Sequence, residues 1–221
     1  MFEYEDLSQY FVSKNSCNFC NGNDLSEWGS RGFLKLVKCE MCGLVYINPR
    51  LNDAGLNKYN TKNNQNRVND IKSLQMREEM FRLECDYLLK HIKTHKSILD
   101  IGCGGGGFLQ SFPDQYNKIG TEYDPVIVRA TEKKGIKCYS GDFLKLKFTE
   151  TSFDVIIFRG VIEHVLDPKG TLEKASDMLV KKGLMYITST PNLSSVCAEV
   201  YRGNWNIVGP DHLYYFDESL F

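Results

Sequence analysis

The spacing of apolar and polar positions changes period in the middle of the chain. Between Ile71 and Lys93, Leu74, Phe81, Cys85, Leu88 and Ile92 recur at helical intervals, while Arg77, Glu78 and Lys90 fill other faces. This predicts an amphipathic helix leading into a core. Beyond it, apolar runs read as strands at Ser97 to Ile101, Lys118 to Glu122, Ile136 to Tyr139, Asp154 to Phe158 and Leu184 to Thr188. Helical stretches fall between them, around Pro125 to Lys134 and Leu172 to Lys181. Strands alternating with helices imply right-handed crossovers and an α/β fold, a mostly parallel sheet with helices on both faces. Ligands in such sheets sit beyond the carboxyl ends of the strands, so the residues just after each strand are the ones to inspect. From Asn57 to Asn69 the periodicity vanishes and polar residues dominate, which reads as a linker or exposed loop.

At 221 residues the chain has room for one such core and a small extra module. A net charge of -1 with 25% charged residues provides no global attraction for nucleic acid or an acidic membrane. Met1 to Tyr10 is acidic and lacks an apolar signal segment, and no stretch approaches the roughly 20 apolar residues of a membrane span. A cytoplasmic protein without a nucleic-acid partner is expected.

Eight cysteines are unevenly distributed: four stand alone and four form two tight pairs, Cys17 with Cys20 and Cys39 with Cys42. Eighteen residues separate the pairs, inside the window for a tetrahedral zinc site. A single pair at a helix start would suggest redox chemistry, but two pairs with no helix behind them favour metal. Four thiolates leave no position open for water, so the zinc is read as structural, closing a module too small to hold by burial alone. Trp28, Phe33, Leu34, Leu36 and Val37 supply a hairpin over the site.

The first strand runs Asp100 into a glycine cluster, Gly102 to Gly107, and Glu122 follows twenty residues after Gly102. Both features belong to the dinucleotide fingerprint. Asp100, however, would repel a pyrophosphate and welcome a cationic amino-acid group, and Gly141, Asp142 and Phe143 add an acid and an aromatic suited to a nucleobase. Together L-D-I-G-C-G-G-G-G-F, G-T-E-Y-D, G-D-F and V-I-E-H-V-L-D-P resemble class I S-adenosylmethionine-dependent methyltransferases, across roughly Ser97 to Phe216. The resemblance implies a Rossmann-like core in which Gly102, Cys103 and Gly104 back the methionine part of S-adenosylmethionine. It also implies that Glu122 holds the ribose, Tyr123 lines the adenine, Asp142 and Phe143 grip the base, and Arg159 and Gly160 border the cofactor. The front half, C-x2-C then C-x2-C-G-L-V-Y-x-N-P, is similar to sugar and polysaccharide-tailoring methyltransferases carrying an N-terminal zinc ribbon-like module.

A sugar hydroxyl, or a carbon beside a keto group, must lose a proton to accept a methyl, and histidine is the natural base near neutral pH. His91 and His95 lie on the lead-in helix and read as surface residues. Glu163 and His164 follow the fourth strand, and Asp211 and His212 follow the fifth. The D-H-L-Y-Y-F segment resembles an E-H-L-x-Y-F segment of the sugar enzymes, which implies His212 as base with Asp211 as its orienting partner. His164 fits either a second catalytic role or that of a helix-start residue bonded to its loop. Tyr214, Tyr215 and Trp205 offer an apolar wall for a sugar ring.

The expected organisation is a zinc module over 1–56, a linker and lead-in helix over 57–95, and a cofactor-binding core over 96–221 lacking the closing hairpin usual in the family. Either the chain is a fragment, or a homodimer or another partner covers the open sheet edge. The expected activity is methylation of a sugar, nucleotide sugar or glycan precursor. A quinone or secondary-metabolite O-methyltransferase, or a non-catalytic cofactor-binding assembly protein, also fits these residues.

Overall fold

The computed structural model describes residues 4–67, 71–92 and 97–221. The front of the chain forms short strands β1 (Phe11–Val12), β2 (Leu25–Arg31), β3 (Leu34–Cys39), β4 (Val45–Ile47) and β5 (Arg50–Leu51). β2 and β3 make the expected antiparallel hairpin, β4 adds to β3, and β1 pairs with β5. Helix α1 (Asp53–Arg67) then runs through most of the stretch expected to be a linker. Its start explains the difference: Asn52 Oδ1 accepts from the Gly55 amide at 3.0 Å, and Asp53 places negative charge in the first turn.

Helix α2 (Ile71–Leu89) confirms the lead-in helix, with Cys85 and Leu88 buried and Ile92 buried just beyond it. The side chain of Leu74 and all of His95 lie outside the described residues, while His91 is exposed against Tyr87. There follow β6 (Ser97–Ile101), α3 (Gly107–Gln110), β7 (Asn117–Glu122), α4 (Pro125–Glu132), β8 (Lys137–Ser140), β9 (Phe153–Arg159), α5 (Pro168–Asp177) and β10 (Leu179–Thr188). The five strands pair in parallel in the order β10-β9-β6-β7-β8. Ile98, Val155 and Ile157 of this sheet pack with Leu88, Phe108, Leu109 and Phe112 in one core cluster. Each such side chain contributes about 1.5–3 kcal/mol on burial.

The fifth helix–strand unit departs from expectation. α5 begins at Pro168, whose fixed φ suits a first helical turn, and β10 already starts at Leu179 where the periodicity suggested helix to Lys181. The pairing with β9 shifts register between Leu179 and Leu184, and Lys182 takes φ +65 there. Among the described residues, no helix is long and apolar enough to cross a membrane.

Helix α6 (Val196–Tyr201) and strand β11 (Tyr214–Tyr215) come from the tail. β11 pairs with β4, so the front sheet reads β11-β4-β3-β2. Leu36, Val45, Ile47, Ala198, Val208 and Tyr215 form its core. The compact units therefore do not follow chain order: one comprises 1–68, 162–169 and 190–221, the other 69–161 and 170–189.

In the first unit Gly203 lies flat against β2, where an added Cβ would come within 2.3 Å of the Ser30 amide nitrogen and 2.4 Å of its carbonyl oxygen. Both atoms are backbone and cannot rotate away. Gly203→Ala should therefore lower unfolding free energy by about 1–3 kcal/mol or more, read as a reduced urea midpoint.

Candidate functional site

The glycine loop after β6 is a forced turn. Gly102 has φ +70, and a Cβ there would meet Val161 Cγ2 at 2.6 Å; Gly104 has φ +55 with open space where its Cβ would stand. Cys103 N donates to Thr121 O at 2.9 Å and Gly104 N donates to Glu122 Oε2 at 3.0 Å, tying the loop to the end of β7. Glu122 Oε1 accepts from the Tyr123 amide at 2.7 Å and more distantly from Asp124. Tyr123 is half exposed.

Asp100 is 2% exposed, and its Oδ1 has no hydrogen-bond partner. Burial pushes its carboxyl up to about 8, against the opposing pull of Arg159. Arg159 is itself fixed by two 2.9 Å bonds to Glu84 on α2, with its guanidinium 4.6 Å from the Phe81 ring centre. A buried carboxyl group with one oxygen unsatisfied beside an open backbone cradle, ready to ionise against an incoming cation, fits the amino-acid end of S-adenosylmethionine.

The remaining residues expected around the cofactor fall at the same strand ends. Gly141 N donates to Glu122 O at 2.9 Å, and Gly160 N to Thr188 O at 2.9 Å. Asp142 caps its own loop, accepting from Leu144 N at 3.0 Å, and pairs with Lys145 at 3.2 Å. Phe143 is buried, with its ring 5.8 Å from Phe148 and its carbonyl held by Lys174.

The four paired cysteines converge, all sulfurs lying within 4.8 Å of one another. Cys17 and Cys42 are 3.7 Å apart and Cys20 and Cys39 are 3.5 Å apart. Zinc–sulfur bonds of about 2.3 Å place tetrahedral sulfurs about 3.8 Å apart, so the set fits zinc. The Phe19 and Gly22 amides each donate to a cysteine sulfur at 3.4 Å, contacts that favour the thiolate form.

In the same unit Glu163, His164 and His212 also converge, with one ligand-type atom from each inside 4.8 Å. His164 Nδ1 lies 2.8 Å from the Asp211 carbonyl oxygen. That oxygen can only accept, so Nδ1 carries a proton, and in the neutral ring the lone pair is on Nε2. The His212 ring stands edge-on to His164 at 4.7 Å. Asp211, expected to orient His212, holds the His164 ring through its backbone carbonyl. Glu163 is 1% exposed; burial raises its carboxyl above the usual range, opposed by His164, and its Oε2 accepts from Thr190 at 3.1 Å. A cleft of about 460 Å³ opens beside Asp211 and His212, bordered also by Arg31, Phe33 and Tyr59. Arg31 is held by three carbonyls, those of Trp205, Asn206 and Val208.

Tyr214 and Tyr215 are fully buried and Trp205 nearly so, which corrects the expectation that they wall a sugar site: Tyr215 and Trp205 belong to the front core. Tyr214 instead serves a network that sequence reasoning missed. Its hydroxyl donates to Leu166 O at 3.0 Å and accepts from Arg50 at 2.6 Å and Asn18 at 3.0 Å, while Arg50 and Asn18 also donate to Leu166 O. The only prior signal was a lone arginine beyond the second cysteine pair.

A family model described as a methyltransferase domain matches residues 74–220. An uncharacterised protein of Methanocaldococcus jannaschii is 30% identical over 110 residues, 50% of this chain and 52% of that one. A ubiquinone biosynthesis O-methyltransferase of Glaesserella parasuis is 32% identical over 106 residues, 42% of this chain and 45% of that one. The chain thus spans about half the length of these curated relatives. Among solved structures, the YcgJ protein of Bacillus subtilis matches with a TM-score of 0.50 at 22% identity, over 61% of this chain and 62% of that one, a likeness of fold.

Two outcomes follow from this geometry. Because the folded-state carboxyl of Asp100 titrates near 8 rather than 3.8, its burial costs nothing below both values and progressively more as pH rises between them. Asp100→Asn should gain stability relative to the parent from pH 5 to pH 8, by up to about 1.4 kcal/mol per pH unit in urea unfolding. Cys39→Ser should lose about one zinc equivalent by elemental analysis and unfold at lower urea.

Proposed function

The chain belongs to the class I S-adenosylmethionine-dependent methyltransferase family, and on that premise we propose that it methylates a small hydroxylated or keto acceptor of the sugar, nucleotide-sugar or glycan-precursor class. S-adenosylmethionine, when bound, supplies a methyl on a good leaving group, so placing the acceptor and removing its proton are the tasks left to side chains. In this reading Asp100 balances the cofactor's amino group, the loop Gly102, Cys103 and Gly104 backs its methionine part, and Glu122 takes the ribose hydroxyls. Tyr123, Gly141, Asp142 and Phe143 form the base side, with Arg159 and Gly160 at the border. Zinc on Cys17, Cys20, Cys39 and Cys42 is structural.

The observation that carries the acceptor half is the fixed tautomer of His164: an imidazole lone pair held in place next to His212 and the buried Glu163, with a cleft of small-molecule size at Asp211 and His212. An oriented lone pair is what a group handling an acceptor's proton requires. Arg31 and the rings of Phe33 and Tyr59 suit an acceptor with a charged or polar end. The acceptor's proton is lost at the Glu163–His164–His212 centre.

Incubation of nucleotide sugars and keto-sugars with methyl-labelled cofactor, followed by mass spectrometry, should find label on oxygen or on carbon beside a carbonyl. His164→Asn and His212→Asn should each cut turnover about 100-fold or more while S-adenosylhomocysteine affinity stays within about twofold. Unchanged turnover in both variants, or label only on phenolic acceptors, would overturn this reading.

A further inference from the structure

We propose that Glu163, His164 and His212 bind a divalent transition-metal ion of the zinc class, at a second metal site separate from the four cysteines. Two imidazoles and one carboxylate form a donor set that suits zinc and leaves an open coordination position. One ligand-type atom from each residue lies within 4.8 Å of the others, and Glu163 Oε1 stands 3.8 Å from His164 Nε2.

Convergence alone would be weak support; the outer hydrogen bonds make the case. His164 donates its Nδ1 proton to the Asp211 carbonyl at 2.8 Å, which fixes the ring with Nε2 on the Glu163 side. Metal-binding histidines are held in this way, the far ring nitrogen donating to a carbonyl or carboxylate. Glu163 shows the same division of labour, Oε2 accepting from Thr190 at 3.1 Å while Oε1 faces His164 Nε2 at 3.8 Å. That separation is too long for a hydrogen bond. It lies within about half an ångström of the spacing of two ligand atoms around one tetrahedral zinc. Glu163 is almost fully buried, and a buried carboxylate is costly without a cation or enough donors, a cost that an ion here would offset.

The ion's role rests on the methyltransferase reading, although its binding does not. The open position would take an acceptor hydroxyl and lower its pKa, so that the O–H proton leaves to solvent while the oxygen keeps the electron pair. His164 and His212 would then act as ligands in place of free bases, with Asp211 and Thr190 as positioning residues.

Zinc-equilibrated full-length protein should hold about two ions per chain by mass spectrometry, and His212→Asn about one. His164→Asn is the second variant should the first fail to fold. Cobalt added to protein whose thiol site is already filled with zinc should give visible bands without thiolate charge transfer, and these should vanish in either variant. About one ion per chain in the parent, or cobalt bands insensitive to both substitutions, overturns the proposal. If the ion is absent while both variants lose turnover, the proton-transfer reading stands with imidazoles that bind no metal. If the ion binds and no acceptor is methylated, the site stands and the acceptor reading falls.

Discussion

The carbonyl of Leu166 is the point on which the histidine-bearing unit depends. It accepts from the Asn18 amide, the Arg50 guanidinium and the Tyr214 hydroxyl, drawing together three segments far apart in the chain. Asn18 sits between the first two cysteines, so the geometry of the cysteine cluster and the position of this carbonyl are linked through that one residue. Arg50 is only 4% exposed, and its planar fork reaches both Leu166 and Tyr214, a task to which a lysine's single ammonium is poorly suited. Two residues before Leu166 stands His164, whose ring inherits this fixed backbone.

The two candidate chemistries are served by different physical means. The cofactor end relies on backbone: glycines at positive φ, amides aimed at Glu122, and a carboxylate kept out of water. The acceptor end relies on side chains whose orientation is imposed from outside, His164 by a tail carbonyl and Glu163 by Thr190. The Glu163 carbonyl in turn accepts from the Leu213 and Tyr214 amides. The tail therefore sets both the backbone and the ring of the 163–164 pair.

Much of the parallel core was legible in sequence, because buried strands leave uninterrupted apolar runs and Asp100, Glu122 and Asp142 fall at or near their carboxyl ends. The paired cysteines were legible for a similar reason: a metal demands a spacing that chance seldom supplies. Helix α1 was hidden because Lys and Asn carry little helical periodicity, and its signal was the Asn52 cap and Asp53 alone. Asp167 followed by Pro168 marked the start of α5, but apolar periodicity outweighed it. The contact of Asp211 with His164 joins positions 47 residues apart through a backbone carbonyl, and carbonyls have no sequence signature. Tyr214 and Tyr215 read as a ligand wall because exposure cannot be inferred from residue type, and pairing with β4 buries them.

The pairing of β11 with β4 also governs the order in which this chain can be completed during synthesis. Tyr46 leaves the ribosome long before Tyr214, its partner in the ladder, so the front sheet waits with one edge of β4 open while the parallel sheet is made. Closing so long a loop is slow, and until it closes the apolar faces of Val45 and Ile47 lack the cover of Tyr215. Zinc held by the four cysteines would keep the early hairpin in register through that interval, acting as a folding clamp on the nascent chain.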